Sequence, residues 1–308
     1  MRVFVAGGTG VIGRLLVPQL VARGHQVTAT TTNAAKLGLL EQLGAAGVVM
    51  DGLDGASVGE AVAAARPDVI VHQMTGLSEA HAGKPNLRNP ARFFAATNRL
   101  RSEGTDHLLA AAEATGVTNV VAQGAAIFNG TREGGWAKTE EDPLEAVSGA
   151  AEGIKATGHL EDVVVSAGGA VLRYGSLYGP GATDDQVKLV RKRLFPIVGS
   201  GTGCISWVHL DDAASATVLA VEQQAKGVFN VVDDEPAPVS EWLPYLAACA
   251  GAKPPRRLPK WLARLLAGEM VVGMMTEGHG FSNAKAKREL GWQLRYPSWR
   301  QGFKEELA

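Results

Sequence analysis

The chain has 308 residues, with 30 basic and 31 acidic side chains and a formal net charge of −1. This balance argues against a nucleic-acid or anionic-membrane partner, and no apolar run reaches the roughly 18 residues of a membrane span. The two cysteines, Cys204 and Cys249, lack metal-ligand spacing and fit a reducing compartment. No basic leader precedes the first apolar run, so the sequence predicts a cytoplasmic protein. The cysteine spacing predicts no bound metal.

The first thirteen residues carry the most specific local pattern. A short strand-favouring run, residues 3–5, is followed by three evenly spaced glycines and by an apolar, helix-compatible stretch. The glycines are Gly7, Gly10 and Gly13. A strand, a tight turn and a helix bring backbone amides and the positive end of a helix to a phosphate. The G-x-x-G-x-x-G spacing therefore predicts the start of a dinucleotide-binding fold.

Helical and strand-like segments alternate after this turn. Helices are predicted at residues 14–24, 34–44, 56–65, 96–115 and 145–167, strands at 26–31, 47–50, 68–72, 119–122 and 170–173, and loops at 73–95 and 129–143. Continuously apolar strands that alternate with helices indicate a parallel sheet covered on both faces. We predict an α/β fold, with a doubly wound Rossmann-type parallel sheet over residues 1–173. Residues 174–308 would form mainly a smaller substrate-binding lobe, with segments at about 204–232 returning to the sheet.

Four segments, spread over nearly the whole chain, resemble motifs of one superfamily. They are the glycine turn, Arg-Tyr-Gly-Ser-Leu-Tyr-Gly-Pro-Gly at 173–181, Trp-Val-His-Leu-Asp-Asp at 207–212, and Ala-Lys-Ala-Lys-Arg-Glu-Leu-Gly-Trp at 284–292. In this order they are similar to the extended short-chain dehydrogenases/reductases, which include nucleotide-sugar epimerases and dehydratases, 3β-hydroxysteroid dehydrogenases and flavonoid reductases. The resemblance implies a nicotinamide dinucleotide, a small-molecule substrate, and a homodimer formed through helices at 91–115 and 145–167.

The same resemblance implies the residues of the cofactor site. The pyrophosphate would be surrounded by Gly7, Thr9, Gly10, Val11 and Ile12. Further along the sheet edge, Asp51 and Gly52 would lie near the adenine, and Gln73, Met74 and Thr75 along the ribose next to the nicotinamide.

The end of the second strand indicates which dinucleotide binds. An NAD enzyme usually has an acidic residue here, which holds the ribose 2′-hydroxyl and would repel a 2′-phosphate. This chain instead has a neutral, donor-rich run, with Thr31, Thr32 and Asn33, and Lys36 one turn further on. The sequence therefore favours NADPH, with NAD as the alternative.

The residues that usually perform the chemistry of this family are missing. Relatives use a Ser or Thr after the fifth strand and a Tyr-x-x-x-Lys pair on the next helix, where the Tyr transfers a proton and the Lys lowers its pKa. Gly124 stands at the serine position, four residues before Phe128, and no tyrosine precedes Tyr174. The usual proton donor is absent from the sequence.

The following helix can be aligned with the family pattern in two registers. If the motif lysine is aligned with Lys155, the only lysine of the helix, the tyrosine position is occupied by Ala151. If the helix is instead registered on Glu161, the tyrosine and lysine positions are occupied by Gly153 and Thr157. In neither register does the helix carry the pair.

Two residues remain as candidate replacements. Tyr174 follows the sixth predicted strand, where relatives approach the nicotinamide carboxamide, and would donate the proton as well as contact the cofactor. Lys155 would hold a ribose. Alternatively, water or the substrate itself supplies the proton while the apolar site favours hydride transfer by proximity.

Aromatic and methionine side chains are the candidates for the substrate pocket, because they line adaptable apolar sites. The predicted contacts are Phe128, Trp136, Tyr178, Trp207 and Met274. They favour a flat apolar or aromatic substrate over a nucleotide sugar.

Three functions follow from these observations. The first is an NADPH-dependent, ketoreductase-like oxidoreductase that reduces a carbonyl of a small aromatic or polycyclic metabolite with a non-standard proton donor. The second is a catalytically silent NAD(P)-binding sensor or regulator. The third, a sugar-nucleotide epimerase or dehydratase, is the weakest because that chemistry depends most on the absent tyrosine.

Overall fold

The structure is a computed structural model that describes residues 1–77, 90–126 and 137–307. Its strands are β1 (Arg2–Ala6), β2 (Gln26–Thr31), β3 (Ala46–Val49), β4 (Val69–His72), β5 (Val120–Ala125), β6 (Ala137–Lys138), β7 (Ala170–Tyr174), β8 (Ser176–Tyr178), β9 (Ile197–Val198), β10 (Cys204–Ile205), β11 (Trp207–His209), β12 (Gly227–Val231), β13 (Ala237–Pro238), β14 (Arg257–Leu258) and β15 (Gly280–Phe281).

The helices alternate with these strands in the first part of the chain and become more frequent in the second. They are α1 (Gly13–Ala22), α2 (Leu37–Gln42), α3 (Gly55–Ala65), α4 (Pro90–Arg101), α5 (Glu103–Thr115), α6 (Ala151–Ser166), α7 (Asp184–Arg191), α8 (Leu210–Glu222), α9 (Val239–Cys249), α10 (Lys260–Thr276), α11 (Ala284–Leu290) and α12 (Trp299–Glu306).

A seven-stranded parallel sheet forms the centre of the molecule, in the order β12-β7-β5-β4-β1-β2-β3. Strand β1 lies between β2 and β4, so the chain reverses its direction of progress across the sheet at this point. In such sheets the ligand binds outside the carboxyl ends of the strands at the reversal. The prediction of a doubly wound, Rossmann-type α/β fold is confirmed.

The sheet is buried on both faces, which explains its continuously apolar strands. On one face Val5, Val71 and Leu172 pack with residues of α1, α8 and α11. On the other face Phe4 and Ile70 pack with residues of α3, α5 and α6. Successive residues of a strand point to opposite faces, so neighbours in sequence serve different layers.

The second lobe has its own aromatic core, in which Tyr178, Trp207, Trp242, Trp299 and Phe303 are almost fully buried. Their rings meet edge to face, with centroids 4.9 Å apart for Trp207 and Trp242 and 5.2 Å apart for Trp207 and Phe303. Edge-to-face contacts of this kind add to the stabilisation from burial. The aromatic residues of this lobe are therefore largely structural.

Several boundaries differ from the predictions for physical reasons. The helix predicted at 96–115 is two helices, α4 and α5, with a break at Ser102, and α4 begins earlier, at Pro90, because proline suits a first helical position. The helix predicted from 145 begins at Ala151, after a turn in which Gly149 has φ +81°. Strand β12, which lies within the predicted returning segment at about 204–232, pairs with β7 at the edge of the sheet. Helix α11, which was not predicted to return, packs in the hydrophobic layer that contains α1 and α8. Across the described ranges, no helix is both long enough and apolar enough to traverse a bilayer.

Candidate cofactor and substrate site

The glycine turn lies directly against the end of β4. Gly7 has φ +98°, its amide donates to Thr30 Oγ1 at 3.0 Å, and the Gly10 amide donates to the Gly7 carbonyl at 3.1 Å. A Cβ on Gly7 would lie 2.7 Å from the carbonyl oxygen of Gln73. Only glycine combines this backbone conformation with so close an approach.

Helix α1 presents its N-terminus to the turn. Its N-cap residue, Ile12, makes no side-chain capping bond, and its first turn contains no acidic residue. A Cβ on Gly13 would lie 2.6 Å from the carbonyl oxygens of Gly7 and Gly8, so the turn closes tightly on the helix. The first amides of such a helix and its dipole attract an anion. This cradle fits the pyrophosphate of a dinucleotide, with Gly10 and Val11 exposed and the Ile12 side chain buried.

Polar groups connect the turn with the end of β2. Thr9 Oγ1 lies 3.3 Å from Thr31 Oγ1, which also accepts from the Asn33 amide at 3.2 Å. Asn33 uses its Oδ1 to accept from the Ala35 amide, so this oxygen caps a 3₁₀ turn at Ala34–Lys36. The predicted residues Thr31 and Asn33 therefore lie next to the predicted turn residue Thr9. Thr32, between them, is exposed.

Arg14, which was not predicted as a site residue, lies at this same rim. Its Nε donates to the Thr9 carbonyl at 3.1 Å, and the side chain is exposed. The cation predicted at this rim, Lys36, follows β2, whereas Arg14 reaches the rim from α1. Its position directly after the third glycine is the signal that could have identified it.

The end of β3 and the segment after β4 also meet. Asp51 is exposed and its Oδ1 accepts from the Leu53 amide at 2.9 Å. A Cβ on Gly52 would overlap the sulfur of Met74, so these two predicted residues are in close contact. Thr75, the next residue after Met74, is partly buried. The predicted adenine and ribose residues thus line one continuous edge.

His72, at the end of β4, fixes the path of this segment. Its Nδ1 accepts from the Met74 amide at 3.2 Å, which assigns the proton to Nε2, and Nε2 donates to the Leu100 carbonyl at 3.3 Å. Burial lowers the pKa of His72 from 6.5 to about 4. The imidazole is neutral at physiological pH and acts as a structural link between β4 and α4.

Tyr174 is not available at the site surface as the predicted proton donor. It is 2% exposed, its hydroxyl lies 3.0 Å from Gln73 Nε2 and 2.5 Å from Thr217 Oγ1, and burial raises its pKa to about 12. A hydroxyl that is buried, bonded on both sides and weakly acidic is a poor proton source. In the structure the Tyr174 hydroxyl is the partner of the Gln73 amide, and its role as proton donor stays a prediction.

Lys155, the predicted ribose contact, lies on α6, and its role stays a prediction. It is exposed, as is Ala151 four residues earlier, so this register of α6 faces away from the sheet. In the other register, Glu161 is 8% exposed and forms two contacts of 2.7 Å with Arg173 of β7. The sheet-facing register is therefore the one that contains Gly153 and Thr157.

The three positions that would carry the usual catalytic groups have little polar character. A Cβ on Gly124 would lie 2.8 Å from Val171 Cγ1, so a serine would not fit without rearrangement. Among the described residues, a Cβ on Gly153 would meet no atom within 4 Å. Thr157 is buried and donates to the Gly153 carbonyl at 2.9 Å. That the usual proton donor is missing stays a prediction.

A small cavity of ≈ 50 Å³ lies where the sheet edge meets the second lobe. Its lining includes Ala126, Ser176, Cys204, Ser206, Met274 and Phe281. Burial raises the pKa of the Cys204 thiol to about 12, so the thiol is neutral. Among the described residues, no three His, Cys, Asp or Glu side chains group as metal ligands.

The structure places the predicted substrate residues in different environments. Met274 lines the cavity. Tyr178 and Trp207 do not, because both are 0% exposed in an aromatic core, and their role as substrate contacts stays a prediction. Phe128 and Trp136 lie outside the described residues.

Comparison with known proteins agrees with this fold. The model of the NAD dependent epimerase/dehydratase family matches residues 3–232. A Streptomyces protein named 3-diazoavenalumate denitrifying reductase is 44% identical over 99% of this chain and 100% of its own length. A 2-alkyl-3-oxoalkanoate reductase of Stenotrophomonas maltophilia is 27% identical over 82% of this chain and 76% of its own.

A solved structure reproduces the fold. The UDP-glucose 4-epimerase of Thermotoga maritima, determined with UDP-glucose, superposes with a TM-score of 0.78 at 22% identity, covering 100% of this chain and 97% of the epimerase. The fold and the glycine cradle define a nicotinamide-dinucleotide enzyme of the extended short-chain dehydrogenase/reductase type. The chain belongs to the NAD dependent epimerase/dehydratase family, and the predicted membership is confirmed. The prediction of an enzyme is confirmed as well, since both curated relatives are named reductases.

Proposed function

We propose that this protein is an NADPH-dependent reductase of a small aromatic metabolite, acting on an acceptor that needs no acid from the protein. The observation that carries the proposal is the combination of an intact glycine cradle with Gly124, Gly153 and a buried Tyr174 in place of a proton donor. A bound nicotinamide dinucleotide supplies a hydride. The chain supplies its binding, its orientation and an apolar cavity.

The residues of the adenosine rim support NADPH over NAD. Thr31 and Asn33 carry no charge that would repel a 2′-phosphate, and Arg14 adds a cation beside Thr9. Arginine is well suited to phosphate because its fork of N–H donors matches the phosphate oxygens. We propose Arg14, together with the Thr31–Asn33 run, as the 2′-phosphate site, and Asp51, Gly52, Gln73, Met74 and Thr75 as the remaining cofactor contacts.

An aromatic diazo group is the acceptor that best matches this site. In its diazonium form it is a cation, so hydride addition at the terminal nitrogen gives a neutral aryldiazene, Ar–N=N–H. The aryldiazene releases its N–H proton to water, the C–N bond breaks so that N₂ leaves, and the ring carbon, which keeps the electron pair, takes up a proton from water. One proton is released and one is taken up, so the net reaction is Ar–N₂⁺ + H⁻ → Ar–H + N₂ and no acid of the protein is consumed. The 44% identical relative is named for a reduction of a diazo compound with loss of nitrogen, which supports this class.

A carbonyl is the second candidate acceptor and the one predicted from the sequence. Hydride addition to a ketone gives an alkoxide that must be protonated. Without a tyrosine the proton would come from water or from the substrate, and the hydroxyls of Ser176 and Ser206 at the cavity could relay it. The 27% identical relative, named as an oxoalkanoate reductase, supports this alternative.

Turnover on two substrate panels distinguishes these functions. The purified protein is incubated with NADPH and either aromatic diazo acids or matched aromatic ketones, and the nicotinamide absorbance is followed. Loss of absorbance with the diazo acids, accompanied by N₂ release, is the expected result. Turnover of ketones alone would replace the first candidate by the second. NADPH binding without turnover of either panel would favour the silent sensor.

The homodimer and the cytoplasmic location stay predictions. Helices α4, α5 and α6, which the family resemblance assigns to the dimer interface, pack on one another along one side of the sheet. Light scattering of the purified protein with and without NADPH measures the mass directly. A mass near that of two 32.2 kDa chains is expected.

A further inference from the structure

Two segments of the second lobe contain cations and no acidic residue. The cations are Lys188, Arg191, Lys192 and Arg193 within residues 186–202, and Lys253, Arg256, Arg257, Lys260 and Arg264 within residues 250–268. The whole chain has a formal net charge of −1, so acidic residues elsewhere balance these nine positive charges. The overall charge balance therefore conceals a strongly basic part of the chain.

The fold brings the two segments together. Strand β9 of the first segment pairs with β14 of the second. Arg191 Nε donates to the Ala250 carbonyl, and Arg193 Nη2 donates to the Pro254 carbonyl, both at 3.2 Å. The two arginines belong to the first segment and both carbonyls to the second. The cations of both segments therefore share one surface of the second lobe.

Few of these cations are neutralised by the protein itself. Lys188 forms an ion pair of 2.8 Å with Asp185, and Arg264 pairs with Glu269. Across the parts of the chain that the structure describes, the other seven cations form no salt bridge. A surface with this excess of one sign attracts groups of the opposite sign.

Large apolar side chains are exposed among these cations. Leu265, Trp261 and Leu194 are 70%, 67% and 64% exposed, which makes them the three most exposed large apolar side chains of the described residues. Leu189 and Leu266 are exposed as well. Single exposed apolar residues are ordinary, whereas a group of them within one surface marks an interaction site. We call the surface formed by these five residues and the nine cations the basic-apolar face.

The first half of α10 arranges the two kinds of side chain in rows. Trp261 and Leu265 are four residues apart, and so are Lys260 and Arg264, so each pair follows one side of the helix. This half ends at Gly268, where φ of +84° interrupts the helical conformation. An apolar row beside a basic row is complementary to a surface on which carboxylates flank apolar side chains.

We propose that the basic-apolar face binds another protein, through an acidic surface whose carboxylates surround apolar side chains. Tryptophan and arginine are the residues that contribute most to protein–protein interfaces. None of the residues of this face lines the cavity or belongs to the glycine cradle. The inference therefore goes beyond the proposed function and does not depend on it.

The arginines favour a folded protein over an anionic lipid surface. Arg257 Nη1 donates to the Gly199 carbonyl at 3.3 Å. Like Arg191 and Arg193, this side chain is thus held by a backbone carbonyl, and its remaining N–H groups have defined positions. Guanidinium groups at defined positions match individual carboxylates in bidentate geometry. A fluid lipid surface requires only positive charge, for which lysine is as suitable as arginine.

The test measures binding of three probes to the purified full chain. The probes are a fluorescein-labelled helical peptide of Glu and Leu with the leucines along one face, a labelled polyglutamate of equal charge, and phosphatidylglycerol vesicles. Anisotropy titrations are expected to show that the Glu-Leu peptide binds at least about tenfold more tightly than polyglutamate, and that added salt weakens both. Trp261→Ser should remove most of the difference between the two peptides.

Two charge reversals supply the matched comparison. Arg256 lies on the basic-apolar face and Lys226 at the start of β12, and both side chains are exposed. Arg256→Glu should weaken the Glu-Leu peptide about fivefold or more, whereas Lys226→Glu should leave its affinity within about twofold of wild type. Melting temperatures within about 2 °C of wild type verify that each variant is folded.

Three results would overturn the proposal. Equal affinity for the Glu-Leu peptide and polyglutamate would mean that charge alone is recognised. Equal weakening by Arg256→Glu and Lys226→Glu would mean that the peptide responds to the overall charge of the chain and not to this face. Vesicle binding that Trp261→Ser removes, without binding of the Glu-Leu peptide, would assign the face to a lipid surface instead.

Discussion

The most direct structural consequence of the glycine cradle concerns Gly7. Replacing it by alanine forces a β-carbon onto a residue with φ +98° and places that atom 2.7 Å from the Gln73 carbonyl oxygen and 2.8 Å from its carbonyl carbon. Both groups are backbone, so neither can rotate away. Gly7→Ala is expected to destabilise the fold and also to move the segment that carries Gln73.

Two separate effects determine the size of the change. The left-handed conformation costs a non-glycine residue about 1 kcal/mol, and forcing an extra carbon into a packed site costs about 1–3 kcal/mol more. The sum, about 2–4 kcal/mol, corresponds to a fall of roughly 3–6 °C in the melting temperature of a chain of 308 residues. NADPH affinity should fall by at least about tenfold, because the turn amides lose their alignment.

Gly24 provides a matched control for this variant. It has φ +81° but no atom within 4 Å of its would-be Cβ, so Gly24→Ala carries the conformational cost without the overlap. Thermal unfolding and calorimetric NADPH titration of both variants separate the two effects. Equal melting temperatures for Gly7→Ala and Gly24→Ala, or normal NADPH binding by Gly7→Ala, would refute the close packing of the turn on β4.

Three further predictions test individual side chains. The folded chain keeps His72 neutral, whereas in the unfolded chain His72 takes up a proton below a pKa of 6.5. The free energy of unfolding should therefore fall by up to about 3 kcal/mol as pH falls from 6.5 towards 4. Denaturant titrations of His72→Gln should show a smaller pH dependence. Tyr174 becomes negatively charged when it loses its proton, and burial raises its pKa from 10 to about 12. The stability linked to this residue is therefore present below pH 10 and is lost between pH 10 and about 12. Tyr174→Phe should reduce that loss in the same titrations. Arg14→Gln should weaken NADPH about tenfold while NADH changes by less than about twofold; equal effects on both would remove Arg14 from the 2′-phosphate site.

The sheet and the cofactor cradle could be predicted from the sequence because their residues obey local rules. Strands buried on both faces are apolar without interruption, and the turn requires glycine at fixed spacing. The break at Ser102 could not be predicted, because residues before and after it continue a helical pattern. The predicted cofactor residues therefore come together, although they lie on four different elements or their connections.

The sequence alone does not show which way the last two residues of β7 point. Arg173 and Tyr174 are adjacent in β7 and must point to opposite faces of the sheet. Arg173 faces α6 and pairs with Glu161, whereas Tyr174 faces α8 and bonds to Thr217. The sequence places both residues near the site but contains no local signal for which face receives the substrate.

The sequence also does not show whether an aromatic residue belongs to a pocket or to a core. Tyr178 and Trp207 end β8 and begin β11, two paired strands that lead into the second lobe. Their composition suits both a pocket and a core, and only the packing of α9 and α12 around them determines which one forms. Arg14 was overlooked because its contact with Thr9 spans a turn whose shape the sequence does not specify.

The central claim is that hydride transfer here requires no proton from the protein. It is tested most directly by turnover of an aromatic diazo acid with NADPH deuterated at C4, with each C4 epimer used in turn. We predict that only one C4 epimer loses its deuterium on oxidation, with one N₂ and one arene formed per NADPH, and that in D₂O with unlabelled NADPH the carbon that held the diazo group gains one deuterium. Oxidation of NADPH without release of N₂, or consumption of NADPH only with ketones, would contradict this claim.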